Sequence, residues 1–243
     1  MRKTMFLAVL AACATVLTAC STDEEPNTLS RKEKAEGFVL LFDGESTDSW
    51  KGFKKDYFPD KWVVEDGCIM FNPDVDGTGG DIVTKESYAN FHLKIDWKIE
   101  EAGNSGIFYL GNEDADFGAI FFTAPEMQVL DNEKHPDAQL GTNGNRKSGS
   151  LYDLIPADPQ NSLGAEVWNT AEVIHENGHV KHIQNGVVVV EYQMGTPEWN
   201  ELVAGSKFPG LNPDWANVPS EGKIALQDHG NKVWFRNIKI KTL

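Results

Sequence analysis

Phe91-His92-Leu93-Lys94-Ile95-Asp96-Trp97-Lys98-Ile99 alternates through nine positions, apolar on odd numbers and polar on even. Successive side chains of a β-strand point to opposite faces, so this stretch predicts a strand with one face on a core and the other in water. Outward from it the pattern recurs in shorter pieces. Trp62 to Val64 and Cys68 to Phe71 flank Asp66-Gly67, a hairpin signal. Glu172 to Glu176 turns at Asn177-Gly178 into His179 to Gln184, which turns at Asn185-Gly186 into Val187 to Gln193. Lys223 to Gln227 and Val233 to Ile240 close the chain around a turn near Gly230-Asn231. From Arg31 onwards no long stretch shows the 3.6-residue period of a helix, and Glu198 to Ser220 reads as a long loop with one helical turn. There is no internal repeat and no linker among these strands. They predict a single all-β domain, a sandwich or barrel.

The chain has 243 residues, with 22 Lys and Arg against 37 Asp and Glu, a formal net charge of −15. Hydrophobic residues at 40% and charged residues at 24% match ordinary globular usage, so wholesale disorder is excluded. So acidic a surface repels phosphate backbones, which argues against nucleic acid as a partner. Arg2 and Lys3 followed by the apolar Met5 to Leu17 predict a secretory signal over residues 1–19, too short to be a spanning helix. Leu17-Thr18-Ala19-Cys20 resembles the bacterial lipobox, which implies cleavage before Cys20 and a lipid on its thiol. The membrane is then reached by lipid rather than by charge. Residues 20–36 read as that lipidated Cys and an acidic tether. Asp23-Glu24-Glu25 within it resembles the surface-export signal of Bacteroidetes lipoproteins. The expected location is the outer membrane, on the cell surface or the periplasmic side. Cleavage removes Cys13 and lipidation occupies Cys20, so Cys68 has no disulfide partner.

Several chemical signatures are missing: G-x-S-x-G, a P-loop, G-x-G-x-x-G and C-x-x-C. His175, His179 and His182 suggest a metal cluster, but a two-residue turn at Asn177-Gly178 pairs His175 with Val180 and Val173 with His182. Paired residues share a face, so His179 lies on the opposite side and the three cannot converge. Glu126-Met127-Gln128-Val129 predicts a strand with Glu126 and Gln128 on an exposed face, Met127 and Val129 on the core. A carboxylate beside an amide can act as a base and as a partner to a polyol; the plainer reading is a solvated face. Gln227 and His229 share one face if their strand persists, and Trp234 and Arg236 begin the next. Amide, imidazole, guanidinium and indole together suit a sugar. Each alone is as readily structural, Trp234 as part of the core.

Larger blocks carry a resemblance. They are Glu126 to Asn132 with His135-Pro136-Asp137-Ala138, Gly149-Ser150-Leu151-Tyr152, Trp168-Asn169, and His182 before Asn185-Gly186. Leu226 to Gly230 and Val233 to Ile238 complete them, with Leu41-Phe42-Asp43-Gly44, Trp50 and Asn104 to Phe108 nearer the start. Together they resemble the 3-keto-disaccharide hydrolase family, formerly a domain of unknown function, over residues 37–243. The chain departs from the family at Leu110, where Arg is common.

The resemblance implies a concanavalin A-like jelly roll, a sandwich of two antiparallel sheets, one of them concave and open to ligand. It also implies a glycoside-cleaving enzyme acting on 3-keto-glycosides, which a separate sugar C3-dehydrogenase must supply. A 3-keto group acidifies the C2 proton, so a base can remove it, the enolate can expel the C1 substituent, and water can add. Such a site needs a base, donors or a metal for the enolate oxygen, and an acid for the leaving group, not paired glycosidase carboxylates. On this reading Glu126 is the general base, or a ligand if a divalent metal takes part. His182 and His229 are acid/base candidates, because imidazole titrates near neutral pH. Gln128, Gln227 and Arg236 hold hydroxyls and the developing oxyanion, with Tyr152 and Trp234 as a platform for the ring. The competing readings are a non-catalytic carbohydrate-binding surface lipoprotein on the same sandwich, and a structural or adhesive one with no cupped polar face.

Overall fold

The Phe91–Ile99 strand alternates in burial as it does in sequence: Phe91, Leu93, Ile95, Trp97 and Ile99 are buried and the residues between them are not. In the computed structural model, which describes residues 25–243, this strand lies at the centre of an eight-stranded antiparallel sheet. The expected signal peptide over residues 1–19, Cys20 and the start of the tether lie outside the described residues.

On one side of the central strand come Asn169–Glu176, His179–Gln184 and Val187–Gln193 in succession. On the other come Val233–Thr242, Cys68–Phe71 and Trp62–Glu65, with Val39–Leu40 also pairing Val233–Thr242. The Asn177-Gly178 hairpin has the expected register, with Glu176 opposite His179 and Val173 opposite His182. The second sheet orders Trp50–Gly52, Ile82–Thr84, Lys223–Leu226, Asn104–Gly111 and Glu126–Leu130. Its pairs are antiparallel too. Leu93, Trp97 and Phe235 of the first sheet pack against Ile107, Met127, Val129 and Leu226 of the second. Two sheets closed on such a core make the expected jelly-roll sandwich. Each fully buried Leu, Ile or Phe contributes roughly 1.5–3 kcal/mol, and truncating a core aromatic such as Trp97 to Ala costs about 3–5 kcal/mol.

Two segments differ from the sequence reading. Pro197–Ala204 and Phe208–Leu211 are helices rather than a loop with one turn. Thr196 caps the first by accepting from the Trp199 backbone N–H at 3.1 Å, and Pro197 has a φ suited to the first turn. Trp199 and Val203, four residues apart, bury one face of it in a second cluster with Leu151, Val189, Val190, Phe208 and Trp215. Eight residues are too few for a period to show.

The tether is also shorter than residues 20–36. Ser30 and Glu33 form a reciprocal capping box for the Arg31–Glu36 helix. Glu33 accepts from Lys239 Nζ at 2.9 Å and from Lys94 Nζ at 3.3 Å, on the outer face of the eight-stranded sheet. Burial opposes the Glu33 charge, but Lys239, the Ser30 backbone and Lys94 together hold its carboxyl down at about 2. Asn27 and Asn237 exchange backbone N–H to side-chain carbonyl bonds at 2.6 and 2.8 Å.

Candidate active site

The outer face of the five-stranded sheet carries a cavity that mixes polar and aromatic side chains. Gly106 pairs with Gln128 and Phe108 with Glu126, so Asn104, Gly106, Phe108, Glu126 and Gln128 share that face. Met127 and Val129 point the other way into the core, as their alternation predicts. The face is not solvated as the bare pattern suggested: Glu126 is 6% and Gln128 1% exposed. Segments from elsewhere roof it. Phe121 and Ala124 come from the segment before the Glu126 strand, Tyr152 from the loop after it, and Lys207 with Phe208 from the start of the last helix. With Gln227 and His229 they enclose a cavity of about 200 Å³.

Space for the carboxyl depends on Gly106. A Cβ there would stand 2.1 Å from Glu126 Oε1. The Glu126 carboxyl has no hydrogen-bond partner among the described side chains and backbone. Burial raises its pKa to about 8; the Lys207 charge pulls it down, and Asp81 and Asp137 push it up. Two other acceptors in the wall, Asn104 Oδ1 and Gln227 Oε1, are buried without partners. Buried orphans of this kind are rare in folded proteins, and a hydroxyl-rich ligand would satisfy them. Gln128 Oε1 accepts from the Val129 N–H at 2.9 Å, which leaves its amide NH₂ as a donor. Asn104 Nδ2 lies 3.4 Å from His229 Nε2, and His135 meets His229 edge-on with ring centroids 6.1 Å apart.

The roof is held by charge. Tyr152 donates its hydroxyl to Asp137 Oδ2 at 2.8 Å and accepts from Lys207 Nζ at 3.1 Å. Burial, then the Asp137 bond, raises the phenol well above its ordinary value. Burial also lowers Lys207, against the pull of Asp153 and the neighbouring carboxylates. Arg146 fixes the acids, donating to Asp153 Oδ1 at 2.6 Å and Asp137 Oδ1 at 2.8 Å. Lys207 thus brings an ammonium group to the wall that Glu126 shares.

The structure gathers Glu126, Gln128, Tyr152, Gln227 and His229 around the cavity and sends three candidates elsewhere. His182 lies fully buried between the sheets. The Gly149 carbonyl can only accept, so His182 Nδ1 carries the proton and donates to it at 3.1 Å. Nε2 then accepts from the Tyr109 hydroxyl at 2.8 Å, and Tyr109 accepts from Tyr192 at 2.6 Å. Burial drives this imidazole down to about 4, so it is neutral here. Gly149 also donates its N–H to the Gln128 carbonyl at 2.8 Å, so His182 steadies the segment that leads to Tyr152. Trp234 and Arg236 lie on the outer face of the other sheet. Val233 and Phe235 point into the core, and alternation turns their neighbours outward. Arg236 stacks 4.0 Å above Trp168, and Lys98 lies 4.4 Å above Trp234.

Among the described residues no three His, Cys, Asp or Glu side chains form a group that could hold a metal ion. The cavity offers one carboxyl and one imidazole among amides, which does not fit a closed protein site for a divalent ion.

Residues 37–241 match the profile of the 3-keto-alpha-glucoside-1,2-lyase-like domain. This chain belongs to that family. A 3-keto-disaccharide hydrolase of Bacteroides thetaiotaomicron is 43% identical to this family member, covering 90% of this chain and 83% of the relative. A crystal structure from Parabacteroides distasonis, described as a "putative glycosyl hydrolase", is 35% identical with a TM-score of 0.81, over 90% of this chain and 100% of that one. A Bacillus subtilis protein with a galectin-like fold, 15% identical with a TM-score of 0.50 over 89% of this chain and 94% of its own, shares the fold alone. The family relationship supports a glycoside hydrolase.

Sequence reasoning missed Asn104 and Lys207 as wall residues. Asn104 stood in a quoted family motif, and its face followed once its strand was paired with Glu126–Leu130. Lys207 had no signal, because it reaches the cavity only through the packing of the Trp199 cluster.

Proposed function

We propose that this protein cleaves 3-keto-glycosides by elimination followed by addition of water. The observation that carries the reading is the Glu126 carboxyl, buried and unpartnered in the wall of a small cavity. In this scheme Glu126 takes the C2 proton and the C2–H electrons form an enolate with the C3 ketone. The enolate re-forms the ketone and pushes electrons into C1=C2, breaking the bond from C1 to the leaving oxygen. Water then adds at C1, and a proton returns to C2. A carboxylate whose pKa lies near 8 is a stronger base than an ordinary one and is still partly ionised at neutral pH. The Lys207 ammonium and the Gln128 amide are suited to the developing enolate oxygen, and Tyr152 offers a ring face. Asn104 Oδ1 and Gln227 Oε1 accept from sugar hydroxyls. His229, as imidazolium, donates a proton to the leaving oxygen and becomes neutral imidazole. His182 enters as a positioning residue for the segment before Tyr152. Trp234 and Arg236 have no part in this site.

The wider reading has two further parts. A separate dehydrogenase oxidises the sugar at C3, because an ordinary glycoside lacks the acidic C2 proton. Acylation at Cys20 anchors the protein to the outer membrane. Mass spectrometry of the N-terminal peptide from cells tests the anchor, and an unacylated Cys20 refutes it.

The decisive experiment incubates the purified protein with methyl 3-keto-glucoside, with and without chelator. Release of methanol by wild type and its loss in Glu126→Gln are expected. Binding without consumption by wild type would make this a carbohydrate-binding module, and full turnover by Glu126→Gln would remove Glu126 as the base.

A further inference from the structure

A second cavity, of about 310 Å³, adjoins the first. Phe121, Gln227 and His229 line both, so these three form the partition between them. Glu126 and Lys207 border only the first cavity, and Asp81 and Asp228 only the second. The first is smaller than the ~300–1,000 Å³ of pockets that take drug-sized ligands, which suits a single ring. A glycosidic oxygen sits between two rings, so the group that protonates it must border the space of both. His229 does so, and Glu126, which works at C2 of one ring, need not.

Resting on the function proposed above, we infer that the second cavity holds the leaving half of the substrate, and that it takes a neutral sugar ring in preference to an anionic one. The buried Phe53 and half-buried Phe121 supply the apolar planes against which the C–H face of a ring packs. Asp81 and Asp228 supply fixed acceptors for hydroxyls. Asp81 Oδ1 accepts from the Asp228 N–H at 2.9 Å, and Asp228 Oδ2 from the Gly80 N–H at 2.7 Å. Lys55, the cation of this wall, already donates to the Gly79 carbonyl. Two carboxylates against one committed ammonium repel a uronate or phosphate and are indifferent to a neutral ring.

Gly118 opens onto this cavity, its φ is one that other residues adopt, and a Cβ there has nothing within 4 Å. Gly118→Trp therefore adds an indole at the exposed rim of the second cavity with little strain on the backbone. The test measures kcat/KM for three 3-keto-glucosides whose leaving groups are glucose, glucuronate and methanol. Wild type should favour glucose over glucuronate by about tenfold, and Gly118→Trp should lower the glucose-to-methanol ratio by about tenfold. Ratios that stay within about twofold of wild type, in a variant with the same circular dichroism, overturn the assignment. So does a wild type that prefers glucuronate. If wild type consumes none of the three, the proposed reaction fails and calorimetry decides the cavity separately. Unoxidised glucosyl-glucose should then bind more tightly than methyl glucoside in wild type but not in Gly118→Trp; equal affinities in both proteins overturn the inference.

Discussion

Replacing Glu126 by Gln should stabilise this protein, and increasingly so as the pH rises. The folded protein holds the Glu126 proton up to about 8, whereas an unfolded chain releases it near 4.5. Between those values the unfolded state binds fewer protons, so the carboxyl lowers stability progressively on going from pH 4.5 to 8, and the penalty is constant above that. Below pH 4.5 both states are protonated and the penalty vanishes. At 1.36 kcal/mol per pKa unit, the two values give a total of about 5 kcal/mol, of which about 4 develop between pH 5 and pH 9. Gln has nearly the same shape and never ionises, so the variant escapes the penalty. Urea unfolding of both proteins at pH 5, 7 and 9 is the assay, and the difference between them cancels every other titrating group. The stability of Glu126→Gln relative to wild type should rise by about 4 kcal/mol across that range. A difference that stays flat would mean that Glu126 ionises in the folded protein much as it does in the unfolded chain. The pH argument for its role as base would then fall with it.

The same carboxylate should give the wild-type kcat/KM a rising limb with a midpoint near pH 8; a limb centred near 4.5 would contradict the burial. Gly106→Ala should cut kcat by about a hundredfold while the fold is retained, because its Cβ would displace Glu126 Oε1 from 2.1 Å away; steady-state kinetics with circular dichroism reads both. His182 is lowered to about 4, so its stabilising neutral form is complete above pH 6.5 and is lost as the pH falls toward 4. His182→Phe leaves the Gly149 carbonyl unpaired and removes the acceptor of the Tyr109 hydroxyl, which keeps its bond to Tyr192, so it should cost about 2–4 kcal/mol at pH 7.5 and much less at pH 4 by urea unfolding. Trp234→Ala should leave kcat/KM within about twofold of wild type, since its strand alternation puts it on the sheet away from the cavity.

What the sequence made legible was whatever depends on neighbours along one strand or across one tight turn. The alternation from Phe91 to Ile99 predicted which side chains meet the core, and Asn177-Gly178 predicted the register that separates His179 from His175 and His182. Glu126 and Gln128 were placed on one face for the same reason. Whether that face was wet or covered was not legible, because its roof comes from Phe121, Tyr152 and Lys207, far apart in the chain. The resemblance brought His182 into the candidate site, and side-chain chemistry brought Trp234 and Arg236, but neither a motif nor a residue type says which sheet face a side chain occupies. Strand parity applied to Val233 to Arg236 from the core outward would have separated Trp234 and Arg236 from Gln227 and His229.

The clasp of Asn27 and Glu33 bears on how the protein would stand on a cell. It seizes the chain on the outer face of the eight-stranded sheet, and the cavity opens on the outer face of the other layer. With Cys20 acylated as proposed, only residues 21–26 separate the lipid from the clasp, a reach of about 20 Å when fully extended. So brief a leash would hold the clasped face nearer the lipid than the opposite one. The eight-stranded layer would lie toward the bilayer and the mouth of the cavity toward the surrounding medium, so a sugar would arrive from solution without first crossing the headgroup layer.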